Sequence, residues 1–315
     1  MSDALDALER ALRGVVQGRL LADEPVGPRT TYRVGGSAAL LLEAAGEPDL
    51  AAVRDALREL DAAVPTLVVG NGSNLLVADT GFDGLAIVLA GAFAAITVDD
   101  VLVRAGAAAL LPVVARRTAA AGLTGFEWAV GVPGSIGGAV RMNAGGHGSD
   151  MAATLRRVRV VDLAGGEDGW VPASGVDLAY RSSSIGPGTV VVEAELGLER
   201  GERGDAEASI AEIVRWRREN QPGGQNAGSV FTNPPGDSAG RLIDAAGAKG
   251  LRVGTAQVST KHANFVIADD GGRADDVWRL MVEVVRVVEE HAGIRLHPET
   301  RLVGFPRDPR LEVEG

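Results

Sequence analysis

Leu5, Leu8, Leu12, Val15 and Val16 recur at helical spacing and predict an amphipathic helix within residues 3–20. The apolar run 39–44 then reads as a buried strand. Pro48 opens a second helix with Leu50, Val53, Leu57 and Leu60 on one face, and residues 66–69 follow as an apolar strand. Residues 31–70 are therefore expected to form a strand–helix–strand unit. Short strands are predicted at 85–89, 95–98 and 101–103, interrupted by a helix over 110–121. After a glycine-rich tract at 131–148, residues 158–163, 169–171 and 190–198 read as antiparallel strands, separated by turn signals such as Ala164-Gly165-Gly166.

The charged, glycine-bearing stretch 199–205 is the one linker the pattern suggests, and a third unit begins there. In it Ser238 is placed to cap a helix through Leu242, Ile243 and Ala246, with Gly247 or Gly250 at its end. Residues 251–258 and 265–268 are expected as strands. The clearest helix covers 275–291, where Val277, Leu280, Met281, Val284 and Val288 make one stripe. The fold class is α+β, and the pattern has no solenoid repeat.

Composition narrows the function. With 315 residues, 46% of them hydrophobic and 23% charged, the chain is long enough to bury about three-quarters of its unfolded surface, in two or three lobes. A net charge of −11 argues against a nucleic-acid partner, whose phosphates reward a basic surface. The absence of cysteine excludes disulfides, iron–sulfur clusters, thiolate zinc sites and a cysteine nucleophile. His147, His262, His291 and His297 have no zinc spacing, so no metal is expected. The acidic N-terminus lacks the features of a signal peptide, and the longest weakly polar run, 85–98, is too short to span a membrane. A cytoplasmic monomer without membrane partners is the expectation.

Two glycine-rich segments carry candidate chemistry. Gly70-Asn71-Gly72-Ser73-Asn74-Leu75-Leu76 follows an apolar strand, but Leu75 stands where a Rossmann fingerprint needs its third glycine, so that motif is rejected. What remains is a loop of backbone N–H groups and small polar side chains suited to phosphate oxygens, or an ordinary tight turn. The second segment runs Gly131-Val132-Pro133-Gly134-Ser135-Ile136-Gly137-Gly138-Ala139-Val140, with Met142-Asn143-Ala144-Gly145 after it. Each glycine raises the ordering cost of folding, so such a tract suggests a ligand close to the backbone, a pyrophosphate or a flavin edge. A glycine-rich crossing of two chain segments would also account for it.

Outside these loops, Tyr180-Arg181-Ser182-Ser183-Ser184 offers a guanidinium fork that fits a carboxylate, although an arginine beside serines is more often a surface ion-pair partner. Gly228-Ser229-Val230-Phe231-Thr232-Asn233-Pro234 is not a nucleophile elbow, because Phe231 replaces its closing glycine, and it also looks like a turn. Glu299, after His297-Pro298, would by default be a solvated carboxylate.

In order along the chain, these pieces resemble the UDP-N-acetylenolpyruvoylglucosamine reductase family, flavoenzymes of bacterial cell-wall precursor synthesis. The resemblance runs through Thr31-Tyr32-Arg33-Val34-Gly35-Gly36, the loop 70–76, Asp79-Thr80-Gly81-Phe82-Asp83-Gly84 and Gly122-Leu123-Thr124-Gly125-Phe126-Glu127. It continues through 131–145, Tyr180-Arg181, 228–234, Lys261-His262-Ala263-Asn264-Phe265 and Glu299. A single glycine loop is a weak signal, whereas this many segments in one order are a strong one.

The resemblance implies a two-lobed FAD-binding module of the vanillyl-alcohol-oxidase type, with lobes at 1–66 and 67–200, and a C-terminal α/β substrate-binding domain at 201–315. The C-terminal tail is offered as a further element of the first lobe. The implied cofactors are noncovalent FAD and NADPH as hydride donor, and the substrate is a nucleotide sugar. FAD contacts carry over to Arg33, Gly70, Asn71, Gly72, Ser73, Asn74, Leu75, Gly131, Pro133, Gly134, Ser135, Gly138, Asn143 and Gly145. Arg181 matches the arginine that polarises the enolpyruvyl carboxylate, Ser229 the proton donor and Glu299 the assisting acid. Substrate contacts are expected from Tyr180, Asn233, Lys261 and His262.

Departures from the family pattern are Thr232 in place of a common lysine, Ile185 in place of phenylalanine and Gly146-His147 in place of Ala-Tyr. Arg217 and Arg218 are the nearest arginines to restore positive charge at the substrate. The stretch from Arg181 to Ser229 is too short for the tyrosine-bearing loop of longer members, so this is a short form. A flavin oxidase with covalently tethered FAD and a non-catalytic nucleotide-sugar or flavin binder are the competing readings. Neither glycine loop contains a histidine, though His147 lies just beyond the second, and Arg181, Ser229 and Glu299 are all retained.

Overall fold

The computed structural model describes residues 3–60, 63–166 and 168–311. The chain divides into two compact units, the first made of Met1–Glu24, Ala39–Asn71 and Asp83–Arg217, the second of Pro25–Ala38, Gly72–Phe82 and Arg218–Gly315.

The first unit is built around two sheets. One has the strand order Arg19–Pro25, Ser37–Ala44, Phe82–Leu89, Thr66–Val69, the last two parallel; Ser37–Ala44 and Thr66–Val69, the strands joined by helix Glu47–Glu59, flank Phe82–Leu89. Helices Asp3–Leu12 and Glu47–Glu59 cover it: Leu5, Leu8, Leu12, Leu50 and Val53 meet Leu40, Leu42, Leu85 and Ile87 in one buried cluster. Each such side chain contributes about 1.5–3 kcal/mol on leaving water. The second sheet is antiparallel throughout, in the order Gly169–Pro172, Leu155–Asp162, Thr189–Gly197, Leu102–Gly106, Ile96–Asp99. Val158, Ala194, Leu196 and Val103 of its strands pack against Leu111, Val114 and Ala115 of helix Leu111–Ala120 and against Ile136 and Val140 of helix Ile136–Arg141.

Several expectations are corrected here. Residues 3–20 do not form one helix: it ends at Leu12, Gly14 takes a left-handed φ of 79°, and Arg19–Pro25 is a sheet strand. The glycine tract contains a six-residue helix, Ile136–Arg141, that its glycines masked. The break near residue 200 falls later, because helix Arg203–Asn220 starts within the presumed linker and buries Ala206, Ile210 and Ile213 in the first unit's core. The presumed lobes 1–66 and 67–200 also surrender residues 25–38 and 72–82 to the second unit, where Tyr32, Val34 and Leu76 are core residues.

In the second unit, helix Ala274–Ala292 lays Val277, Leu280, Met281, Val284 and Val288 into the core shared with an antiparallel sheet of Arg252–Val253, Ala256–Val258 and Val266–Ala268. The run 251–258 is thus two strands rather than one: the chain turns at Gly254, whose φ of 53° suits glycine. Helix Ala239–Ala245 is capped as expected by Ser238, whose Oγ accepts from Arg241 N at 3.3 Å. Asp79, from the segment 72–82, accepts from Ala274 N at 3.0 Å and Asp275 N at 3.3 Å, and so caps the long helix. Leu75–Val77 pairs in parallel with Arg301–Val303, so the C-terminal tail belongs with the second unit rather than the first lobe. Among the described residues no helix is long and apolar enough to cross a membrane.

Candidate active site

A cleft of about 230 Å³ opens in the first unit where strand Thr66–Val69 ends in Gly70 and Asn71. Ala107 and Ala108 line a second side, and Ser135, Gly137 and Gly138 of the second glycine tract a third. Asn71 Nδ2 donates to the Pro133 carbonyl at 2.5 Å, which ties the two glycine-rich segments together. The amides of Ile136 and Gly137 are spent on the Ala109 and Ala107 carbonyls, each at 2.9 Å, so they pin the tract to the turn after strand Leu102–Gly106 instead of facing a ligand.

Two features of this cleft fit FAD. A Cβ on Gly70 would stand 2.6 Å from Ser135 Oγ, so the gap between them exists because residue 70 has no side chain. Ser135 Oγ is itself buried and has no hydrogen-bond partner among the described residues, a cost of about 1–3 kcal/mol that a ligand oxygen would relieve. Val68, Leu89 and Val191 give the cleft apolar wall, as an aromatic ligand prefers, and Asn71, Arg141 and Thr189 add polar groups beside it.

The carrier of Arg181 is also in the first unit. Ala179 and Ser182 exchange backbone hydrogen bonds of 3.0 and 3.1 Å, and Arg181 at the bend has a φ of 57°. Its guanidinium lies 5.4 Å from the Tyr180 ring and donates from Nη1 to Gly145 O at 3.2 Å. Asn143 holds this bend to the glycine tract: Nδ2 donates to Ala179 O at 3.1 Å and to Asp150 at 3.2 Å, while Oδ1 accepts from Ala152 N at 2.9 Å. Asn143, expected at the cofactor, thus has its side chain engaged in supporting the Arg181 bend. Gly131 lies under the His147 ring, which meets Trp216 edge-on with centroids 5.1 Å apart. Burial, and then the charge of Arg217, hold the His147 imidazole below its ordinary range, and burial lowers Arg217 too.

The second unit contains the other two residues expected to act. Phe231 bridges Pro298 in antiparallel sense, Glu299 N donates to Val230 O at 2.7 Å, and Thr232 N donates to His297 O at 2.9 Å. Ser229 and Glu299 therefore sit on paired segments. Asn74 reaches the same place: its Nδ2 donates to Glu299 O at 3.1 Å, and its own carbonyl accepts from Arg301 N at 3.0 Å. Gly72, Ser73 and Leu75 accompany it in this unit, with Gly72 O accepting from Thr31 N at 3.1 Å, and Arg33 is exposed at a φ of 56°. The 70–76 loop is thus divided, Gly70 and Asn71 lying in the first unit and the rest in the second.

Among the expected substrate contacts, Lys261 Nζ donates to Arg218 O at 2.6 Å, and Asn233 Oδ1 accepts from Ala239 N at 3.0 Å at the start of a helix. His262 Nδ1 accepts from Asn264 N at 3.3 Å and its ring meets Phe265 edge-on; burial holds its pKa below the ordinary range. Thr232, in place of the common lysine, donates from Oγ1 to His297 O at 3.3 Å. Reading by sequence missed what Asp79 and Asn264 do. The available signal at Asn264 was a lone polar residue in the apolar run 263–268, where it is 4% exposed.

Known proteins show what the chain is similar to. The family described as UDP-N-acetylenolpyruvoylglucosamine reductase, C-terminal domain, matches residues 220–303, and an FAD binding domain family matches residues 42–168. The UDP-N-acetylenolpyruvoylglucosamine reductase of Paramagnetospirillum magneticum is 45% identical over 98% of this chain and 97% of its own. That of Rubrobacter xylanophilus is 41% identical over 90% of this chain and 95% of its own. The crystal structure of UDP-N-acetylenolpyruvylglucosamine reductase from Thermus caldophilus superposes with a TM-score of 0.76 at 37% identity, over 91% of this chain and 99% of that one. At this level of identity, over almost the whole length of both chains, the protein belongs to the UDP-N-acetylenolpyruvoylglucosamine reductase family.

Proposed function

We propose that the protein is an FAD-dependent oxidoreductase that uses NADPH to convert UDP-N-acetylglucosamine enolpyruvate to UDP-N-acetylmuramate in peptidoglycan precursor synthesis. The observation that carries this reading is the pairing of the Ser229 and Glu299 segments, with Glu299 N bound to Val230 O at 2.7 Å. That pairing holds the backbones that carry a hydroxyl residue and a carboxyl residue on one frame, which supports assigning both to one site. The cleft of Gly70, Asn71, Pro133 and Ser135 supports the FAD assignment.

FAD would be held by Gly70, Asn71, Pro133 and Ser135 of the cleft and, when bound, would supply the hydride from its N5 for C3 of the enolpyruvyl group. Negative charge then grows at C2 and on the carboxylate. Arg181 is assigned to hold that carboxylate, since its planar fork matches two oxygens, and Glu299 to set a carboxyl group against it. Such donors are worth most when already oriented, because no reorganisation is needed as charge develops. The Ser229 hydroxyl donates the proton to C2. A serine is a weak acid, and it serves here because the acceptor is far more basic and the geometry is held. Lys261, Arg217 and Arg218 are assigned to the diphosphate of the nucleotide sugar, with Tyr180, Asn233 and His262 as further substrate contacts.

The decisive experiment is the visible spectrum of the purified protein during anaerobic addition of NADPH and then of the enolpyruvyl sugar nucleotide. A yellow protein that bleaches and then recovers its colour is expected. A colourless protein that FAD does not reconstitute, or colour that returns only with oxygen, overturns the reading.

A further inference from the structure

The chain after Ser229 lies outside the sheets, and its backbone groups are satisfied in an unusual way. From Val230 N to Thr232 N there are five donors and acceptors. The 297–300 segment takes two of them, Val230 O at 2.7 Å and Thr232 N at 2.9 Å. The other three go to one residue, Asn264. Its backbone carbonyl accepts from Val230 N at 2.9 Å, its Oδ1 accepts from Phe231 N at 3.0 Å, and its Nδ2 donates to Phe231 O at 2.8 Å. A primary carboxamide has one acceptor and one donor side by side, so it can stand in for the missing strand neighbour by engaging both groups of a single residue. Asn264 and Phe231 are both buried, so these groups have no water to fall back on.

We propose that Asn264 is the positioning residue for Ser229. Held between the Asn264 carboxamide and the Glu299 segment, residues 230–232 have no freedom to shift, and the hydroxyl two residues before Phe231 inherits that fixed frame. Asn264 touches neither substrate nor cofactor in this assignment and acts through Ser229 alone. Other side chains of that size fail for definite reasons: leucine satisfies neither group, and an aspartate loses the donor to Phe231 O. Displacing a reacting group by about 1 Å costs on the order of 10²-fold in rate, which sets the size of the effect.

The inference rests on the assignment of Ser229 as proton donor, and a double-mutant cycle on the FAD-loaded protein separates the two. Flavin reoxidation by the enolpyruvyl sugar nucleotide is measured in wild type, Asn264→Ala, Ser229→Ala and the double variant, with flavin reduction by NADPH as the internal control. Asn264→Ala is expected to slow reoxidation about 10²-fold. In the Ser229→Ala background the same substitution is expected to cost almost nothing further, because there is no hydroxyl left to misplace. Amide hydrogen exchange at Phe231 is the second readout, and its protection should be lost in Asn264→Ala while the protection of helix Ala274–Ala292 stays. Should Asn264→Ala fail to fold, Asn264→Ser, which can satisfy one of the two Phe231 groups, is the variant to use, with an intermediate effect expected.

Equal slowing by Asn264→Ala in both backgrounds, or equal slowing of both half-reactions, overturns the positioning role and leaves Asn264 a residue of general stability. If Ser229→Ala itself reoxidises at the wild-type rate, it is the proton-donor assignment that falls, and the positioning role falls with it.

Discussion

Asn71 donates from its side-chain amide to the Pro133 carbonyl at 2.5 Å, across 62 positions of sequence. That bond brings two glycine-rich segments to one cleft, and with them a gap one Cβ wide between Gly70 and Ser135.

The gap gives the first prediction. Gly70 has no left-handed φ, so alanine suits its backbone, and the cost of Gly70→Ala lies in the 2.6 Å approach of the new Cβ to Ser135 Oγ. The variant should fold yet retain less FAD, measured as the ratio of flavin to protein absorbance after gel filtration. Adding Ser135→Gly should restore part of the loss. Full flavin content in Gly70→Ala would mean that the ligand lies elsewhere.

Arg181 sits at a bend with φ 57°, a strain that lysine would share equally, so Arg181→Lys isolates the guanidinium from the backbone. Turnover with the enolpyruvyl substrate should fall by orders of magnitude while the melting temperature holds. Near-normal turnover would assign the carboxylate to another residue.

For Ser229→Ala the two half-reactions should separate. Bleaching of the flavin by NADPH should keep close to its normal rate, while reoxidation by the enolpyruvyl sugar nucleotide should slow by more than the roughly 10²–10⁴-fold typical of general acid loss. Losing one hydroxyl should cost about 1 kcal/mol of stability, so the protein stays folded and yellow. Stopped-flow traces slowed equally in both halves would make Ser229 a structural residue.

His262 sets a pH dependence of stability. Burial holds its imidazole below the ordinary value of 6.5, and its Nδ1 accepts from Asn264 N, which only the unprotonated nitrogen can do. Below that value the unfolded chain binds the proton more readily than the folded one. The contribution of His262 is therefore complete above about pH 6.5 and is lost as the pH falls. Melting temperatures measured from pH 8 to pH 5.5 should drop at the acid end, and less steeply in His262→Gln. His147 is shifted the same way, so His262→Gln should flatten the profile without abolishing it. An unchanged slope in His262→Gln would remove the residue from the account.

The long helix Ala274–Ala292, the helix after Pro48 and the antiparallel strands of the second sheet were legible along the chain. Each depends on periodicity within about a dozen residues, and each buries the stripe its spacing marked. The glycine loops were legible as loops for the same local reason. Which of their amides face outward was not, since Ile136 N and Gly137 N are consumed by the carbonyls of Ala109 and Ala107, in the turn that follows strand Leu102–Gly106. The helix predicted over 3–20 failed at Gly14 and Arg19, where the apolar spacing is ambiguous and the sheet edge decides.

The residue types for the chemistry, an arginine, a serine and a glutamate, were present in the sequence and in family order. The segments that carry Ser229 and Glu299 meet only through antiparallel pairing across some 70 positions, which no local propensity encodes. Asn264 appeared as one polar residue in an apolar run, and only the folded chain makes it the partner of Phe231, because the two are 33 positions apart. Local sequence set the elements and the reactive side chains. Tertiary structure decided which backbone groups were left unpaired, and so which side chains had to satisfy them, because a buried amide without a partner costs more than the fold can spare.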